Sequence, residues 1–205
     1  MFLWNEQAER YRGTDGRFVS RSAVRATLDV VLDKQMARVA GLSEQLVSGD
    51  VGLPSWRREM VQAIKTAHLE GAAVARGGWA AMSQGDYEWT GQRVRSQLGY
   101  LQRFHDDLAA GIAPMDGTVA SRSEMYVESG RSTQRAMEGR MATTRGEDLE
   151  HNVLGSERPC SDCEAQSGAG WVPIGSLTPV GERTCLSRCH CHMNYRTTTT
   201  PGSEA

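Results

Sequence analysis

The sequence predicts a mainly α fold, a bundle of about four long helices followed by a small C-terminal module with short strands. Three observations predict it. Apolar residues recur at spacings of three, four and seven through residues 20–110. No cysteine precedes Cys160, and all five lie between there and Cys191. Around them Gly and Pro replace the helical period. With 39% hydrophobic and 23% charged residues, the chain is too apolar to be disordered throughout.

Residues 1–19 read as an N-terminal arm. Asp15-Gly16 between short flanks marks a turn, with a small hairpin around it that needs the helical body or a partner to lie on. Residues 20–150 form the helical domain. Its first helix, 20–48, carries Val24, Leu28, Val31, Leu32, Val39, Leu42 and Leu46, and Gly49 closes it. After Pro54, Ser55 is the candidate N-cap of a second helix over 56–82. Gly71-Ala72-Ala73-Val74-Ala75 within it is small enough for a close helix crossing, and Gly77-Gly78 mark a kink or an end. The third helix, 86–110, shows Val94, Leu98, Leu101, Phe104 and Leu108 and stops before Pro114. Ser121-Arg122-Ser123-Glu124 fits a capping box opening a fourth helix to about residue 144. This helix is polar, which means either a solvated face or a surface awaiting a partner. The Cys-rich module covers 151–196, with short strands at Trp171–Ile174 and Cys191–Arg196, and 197–205 is a polar, disordered tail.

The chemistry is concentrated in Cys160-Ser161-Asp162-Cys163 and Cys185-Leu186-Ser187-Arg188-Cys189-His190-Cys191-His192. Two close pairs about 20 residues apart have the spacing of a structural zinc site. A module this small buries little apolar surface and needs such a staple. The expected Zn²⁺ ligands are Cys160, Cys163, Cys185 and Cys189, with Cys191, His190 and His192 in reserve. Disulfides or metal-free thiols are the alternatives. Four protein ligands leave no open position, so the site is expected to be structural and the chain not an enzyme. His68-Leu69-Glu70 with Pro159-Cys160-Ser161-Asp162-Cys163 also matches the H-x-E…P-C-x-x-C signature of zinc-dependent deaminases. That chemistry needs strands to present both halves, and none is legible near His68. His105-Asp106-Asp107 reads as a solvated helix face, and no nucleophile elbow or phosphate loop occurs.

The net charge of -2 argues against a dedicated nucleic-acid binder, although Arg183, Arg188 and Arg196 make a local basic patch. Of 23 basic residues only Lys34 and Lys65 are lysines. No stretch is apolar enough to span a bilayer, and Met1-Phe2-Leu3-Trp4 lacks the apolar core of a secretory signal. The chain is therefore expected to be soluble and made in a reducing cytoplasm, with no membrane partner and no small-molecule substrate.

The run from Ser121 to Arg196 resembles the head-morphogenesis or minor head (minor capsid) proteins of tailed bacteriophages. The elements in common are Arg122-Ser123-Glu124-Met125-Tyr126 and Asn152-Val153-Leu154-Gly155, then the Cys160–Cys163 pair and Gly170-Trp171-Val172-Pro173-Ile174-Gly175. Pro179-x-Gly181, Cys185-x3-Cys189-x-Cys191 and Tyr195-Arg196 follow in order. Tyr11-Arg12 with Gly16-Arg17-Phe18-Val19 is similar to the start of such proteins. The chain departs from them at the second knuckle, where Cys185 stands at a position that a His can occupy. The resemblance implies a non-enzymatic virion component acting in capsid assembly near the portal or inner head surface. Its partners would be other head proteins such as the portal or major capsid protein, with packaged DNA a further candidate. The alternative from another class is a zinc-knuckle nucleic-acid-binding or regulatory protein.

Overall fold

A computed structural model describes residues 2–5, 7, 8, 10–186 and 189–198. It is mainly helical, with a small C-terminal sheet beside the cysteines. The chain divides into two compact units, Met1–Gln134 and Arg135–Ala205. The division falls inside a helix, upstream of the change in composition near residue 150.

In the first unit, strands β1 (Phe2–Asn5), β2 (Arg10–Gly13) and β3 (Phe18–Val19) form an antiparallel sheet in that order. The Asp15-Gly16 turn joins the last two, with Gly16 at φ 78°. This arm lies on the helical body. Tyr11 is buried, packs edge-on against Trp4 at 4.9 Å, and its hydroxyl donates to the Ala75 carbonyl at 2.5 Å.

Helix α1 (Arg21–Ser48) is capped by Ser20, whose Oγ accepts from the Ala23 N–H at 3.1 Å, and ends at left-handed Gly49. Helix α2 (Leu53–Arg76) starts before the expected Ser55 cap and ends before residue 82. Gly52 precedes it, and Pro54 sits inside its first turn, where a missing N–H costs nothing. Gly77, in the left-handed region, ends it. Helix α3 (Gln84–Ala109) opens with a reciprocal Ser83–Asp86 capping box. Asp86 also takes a hydrogen bond from Arg76 Nη2 at 2.7 Å. These contacts outweigh burial and hold its carboxyl below the usual range.

The expected fourth helix is two helices, α4 (Thr118–Glu128) and α5 (Gly130–Thr144). The Ser121–Glu124 box is not used. Asp116 Oδ1 instead accepts from the Thr118 N–H at 2.9 Å, so the helix starts three residues earlier. Ser123 is then interior, its Oγ donating to the Val119 carbonyl and lying 2.8 Å from Ser43 Oγ. Ser43 Oγ also accepts from Trp56 Nε1 at 3.1 Å. Around this polar knot lie Leu28, Leu32, Val39, Trp56, Met60, Ile64, Leu101, Phe104, Val119 and Val127. The polarity of α5 does not mean a solvated face, since Thr133, Gln134, Arg135 and Glu138 are all buried.

The small residues of α2 act as expected. A Cβ on Gly71 would fall well inside contact distance of the Gly130 carbonyl oxygen and 3.3 Å from Gln134 N. One on Gly130 would sit 2.6 Å from the Ala67 carbonyl oxygen. Gly71→Ala therefore gains about 1 kcal/mol of helix propensity but forces two backbones apart. The expected net loss is about 2 kcal/mol, read as a lower urea midpoint at unchanged m-value.

The second unit contains strands β4 (Leu149–Val153), β5 (Val172–Pro173) and β6 (His192–Arg196) and helix α6 (Ser161–Gly168). Strand β4 is central in the antiparallel order β5-β4-β6, pairing Leu149 to Val153 with Arg196 to His192. The outer strands fall where the sequence places them. Strand β4 and helix α6 were not expected. Along β4 the buried positions are Glu150 and Asn152, so the usual polarity is inverted. Glu150 Oε1 accepts the Gly175 and Leu177 N–H groups at 3.0 Å each, which satisfies the inward carboxylate. Of the tail expected to be disordered, Thr198 donates from its N–H and its hydroxyl to Asp148. Residues 199–205 lie outside the described residues.

Among the described residues no helix is long and apolar enough to cross a membrane.

Candidate metal centre

The core of the second unit is Cys163, Leu177, Val180, Cys189, Cys191 and Met193, with Cys160, Cys185, Val172 and Tyr195 packed against it. Half of its fully buried side chains are thus thiols. No disulfide joins any of the five cysteines.

Two local structures present the sulfurs. Cys160 is the N-cap of α6, and Cys163 stands in the first turn. The Cys163 N–H donates to Cys160 sulfur, and this bond, ahead of the neighbouring thiols, holds the Cys160 thiol below its usual range. At the start of the second knuckle Leu186 takes φ 47° and its N–H donates to the Arg183 carbonyl at 2.7 Å. Cys189 N–H returns to the Leu186 carbonyl at 3.3 Å. Asp162, between the first two cysteines, bonds the Thr184 N–H at 2.9 Å and the Thr184 hydroxyl, and so joins the two knuckles. Gly155 lets the chain pass the second knuckle, because a Cβ there would overlap the His190 carbonyl.

The sulfurs form two triads, Cys160–Cys163–Cys185 and Cys163–Cys189–Cys191, with all ligand atoms of each within 4.8 Å of one another. Cys163 belongs to both. Its sulfur lies 3.6 Å from Cys185 and 3.6 Å from Cys189. A tetrahedral ion with sulfur bonds of about 2.3 Å requires sulfurs about 3.8 Å apart. The cluster is therefore able to hold a metal ion. Burial is the main force raising the Cys163 thiol, and it pushes Cys185 up to about 12. Cys189 moves down despite burial, through the Cys191 N–H, the neighbouring thiols and the positive charge of Arg135.

All four expected cysteine ligands, and the reserve Cys191, are in the cluster. His190 is exposed and His192 half-buried in β6, and neither belongs to a metal-sized group among the described residues. Of the expected local basic patch, one member is interior and one is exposed. Arg183 is buried at 2% exposure, Arg196 stacks on Trp171 at 4.3 Å, and Arg188 lies outside the described residues. Asp162 and Arg183 are the site residues that spacing alone missed. Asp162 was at least marked by its place inside the first pair.

His68 sits in the first unit and is 1% exposed. Ser129 donates its hydroxyl hydrogen to the Tyr126 carbonyl, so its Oγ accepts from His68 Nε2 at 3.0 Å. Thr133 Oγ1 takes the Arg93 Nε hydrogen and gives its own to His68 Nδ1 at 2.6 Å. Both ring nitrogens are occupied, as in a satisfied core histidine. Glu70, half-buried, has its carboxyl raised by burial. His105 bonds exposed Asp106 at 3.0 Å on a solvated face.

Comparison with protein-family models, with curated proteins and with solved structures returned no match.

Proposed function

We propose that the chain is a structural component of a tailed-phage particle, a minor head or head-morphogenesis protein whose C-terminal unit is stapled by one Zn²⁺. The all-sulfur cysteine cluster, with Cys163, Cys189 and Cys191 buried and Cys160 and Cys185 half-buried, carries the zinc part of this reading. Four thiolates in tetrahedral array suit zinc, and a site closed by protein ligands serves folding rather than catalysis. Cys160, Cys163, Cys185 and Cys189 are the proposed ligands, with Cys191 next to them as the competing fourth corner. The ordered motifs from Ser121 to Arg196 support the phage part. The proposed partners are other head proteins, the portal or major capsid protein among them, and the proposed location is the virion.

The interior position of Arg183 weakens the nucleic-acid alternative, because phosphate contact needs exposed cations. The neutral, fully bonded His68 weakens the deaminase alternative, because it offers no free lone pair to a metal.

Elemental analysis of the chain purified without added metal is expected to return about one zinc per chain. A folded, metal-free protein with five free thiols sinks the zinc part. Quantitative peptide analysis of purified virions is expected to find the chain at low copy relative to the major capsid protein. Its absence from virions and from assembly intermediates sinks the phage part.

A further inference from the structure

The buried Arg183 side chain makes four contacts in the second unit. Its Nε donates to the Thr178 carbonyl at 2.9 Å and its Nη1 to Asn152 Oδ1 at 2.8 Å. Nη1 also reaches Cys163 sulfur at 3.7 Å, and Nη2 faces Met193 sulfur at 3.9 Å. No carboxylate of the described residues lies within ion-pair distance. Asp162, the nearest acid that the guanidinium influences, is committed to Thr184. A guanidinium withdrawn from water among neutral partners is a large uncompensated cost. The one contact able to carry negative charge is Cys163, the sulfur common to both triads. Asn152, fully buried on β4, ties the pair together. It accepts from Arg183 and donates from Nδ2 to the Cys163 carbonyl at 3.1 Å.

We propose that Arg183 is the counter-charge and positioning residue of the metal centre, donating to the Cys163 thiolate and oriented by Asn152. This rests on the reading of the cluster as a metal site. Four thiolates around a divalent ion carry a net charge of about −2. A buried guanidinium against one of them removes half of that excess and fixes the direction of its lone pairs. The dependence is mutual. Without thiolate at Cys163, Arg183 is a buried cation with no anion, so metal binding and the order of this unit are coupled through it.

The test uses the full chain, with zinc affinity measured by competition against a chromophoric chelator and cobalt(II) as the spectroscopic probe. Arg183→Met removes the charge and keeps the bulk, and Arg183→Lys keeps the charge and loses the fork. Arg183→Met is expected to weaken zinc binding by about 10- to 100-fold and to shift the sulfur-to-cobalt charge-transfer band. Arg183→Lys is expected to regain most of the affinity but not the band position. If Arg183→Met does not fold even in excess metal, the Lys variant decides, since only a residue in contact with the thiolate moves the band. Unchanged affinity in the Met variant, or an unmoved band in the Lys variant, overturns the proposal and leaves the metal site standing. A wild-type chain that binds neither zinc nor cobalt overturns both.

Discussion

Cys163→Ser is expected to cost the protein its bound metal and the order of its C-terminal unit, while leaving the helical unit folded. Cys163 is the one sulfur in both triads, so no choice among the remaining thiols rebuilds a four-sulfur site around its position. Its side chain is also part of the small buried cluster and takes the Arg183 contact. Structural zinc contributes on the order of 10 kcal/mol in modules of this kind, more than a core this small supplies alone. The expected readouts are loss of zinc by elemental analysis and rapid proteolysis within residues 135–198. The unfolding transition of the helical unit is expected to stay within about 1 kcal/mol of wild type, because its core residues are elsewhere in the chain. Chelation of wild-type protein should reproduce the same pattern reversibly. Cys160→Ser should lose metal as well, and Cys191→Ser should be milder. Full metal loss in Cys191→Ser with retention in Cys189→Ser would move the fourth corner from Cys189 to Cys191.

The helical unit is expected to lose stability as pH falls from about 6.5 toward about 4, by up to about 3 kcal/mol. Burial first, and then the charge of Arg93, lowers His68 from 6.5 to about 4. The hydrogen bonds agree with a neutral ring, since Nδ1 accepts from Thr133, whose oxygen already takes the Arg93 hydrogen. The unfolded chain binds a proton on this group across that window and the folded chain does not. Stability therefore rises with pH between the two values and is lost on acidification. Urea titrations at several pH values would measure the slope, and His68→Gln should flatten it while keeping a donor and an acceptor for Ser129 and Thr133. The same slope in wild type and variant would assign the acid sensitivity to other groups. Asp86 acts in the same direction only at lower pH, as its depressed carboxyl is protonated.

Much of the helical part is legible along the chain because its signals are local. Gly49 ends α1 as read, and Gly77 ends α2. The Gly71 stripe marks a close crossing, although Gly130 as its counterpart becomes visible only in three dimensions. The fourth helix departs from the sequence expectation for a physical reason. A capping box at Ser121 is locally satisfactory, but Ser123 belongs with Ser43, 80 residues away, and Asp116 supplies an earlier start. Polarity in α5 signals exposure, yet Thr133 is buried because His68 and Arg93, distant in the chain, satisfy its hydroxyl.

Within the cysteine unit, the sequence by itself determined which residues meet. Cysteine spacing and turn residues act over a few positions, so two knuckles from Cys160 to Cys191 follow from the order of residues. Only the tertiary structure decided that Glu150 and Asn152 face inward and that Arg183 is interior. Hydropathy assigns such residues to the surface. They are inside because their partners lie between 5 and 31 positions away in the chain, at Gly175, Leu177, Cys163 and Thr178, and the donors and acceptors converge only after the strands have paired.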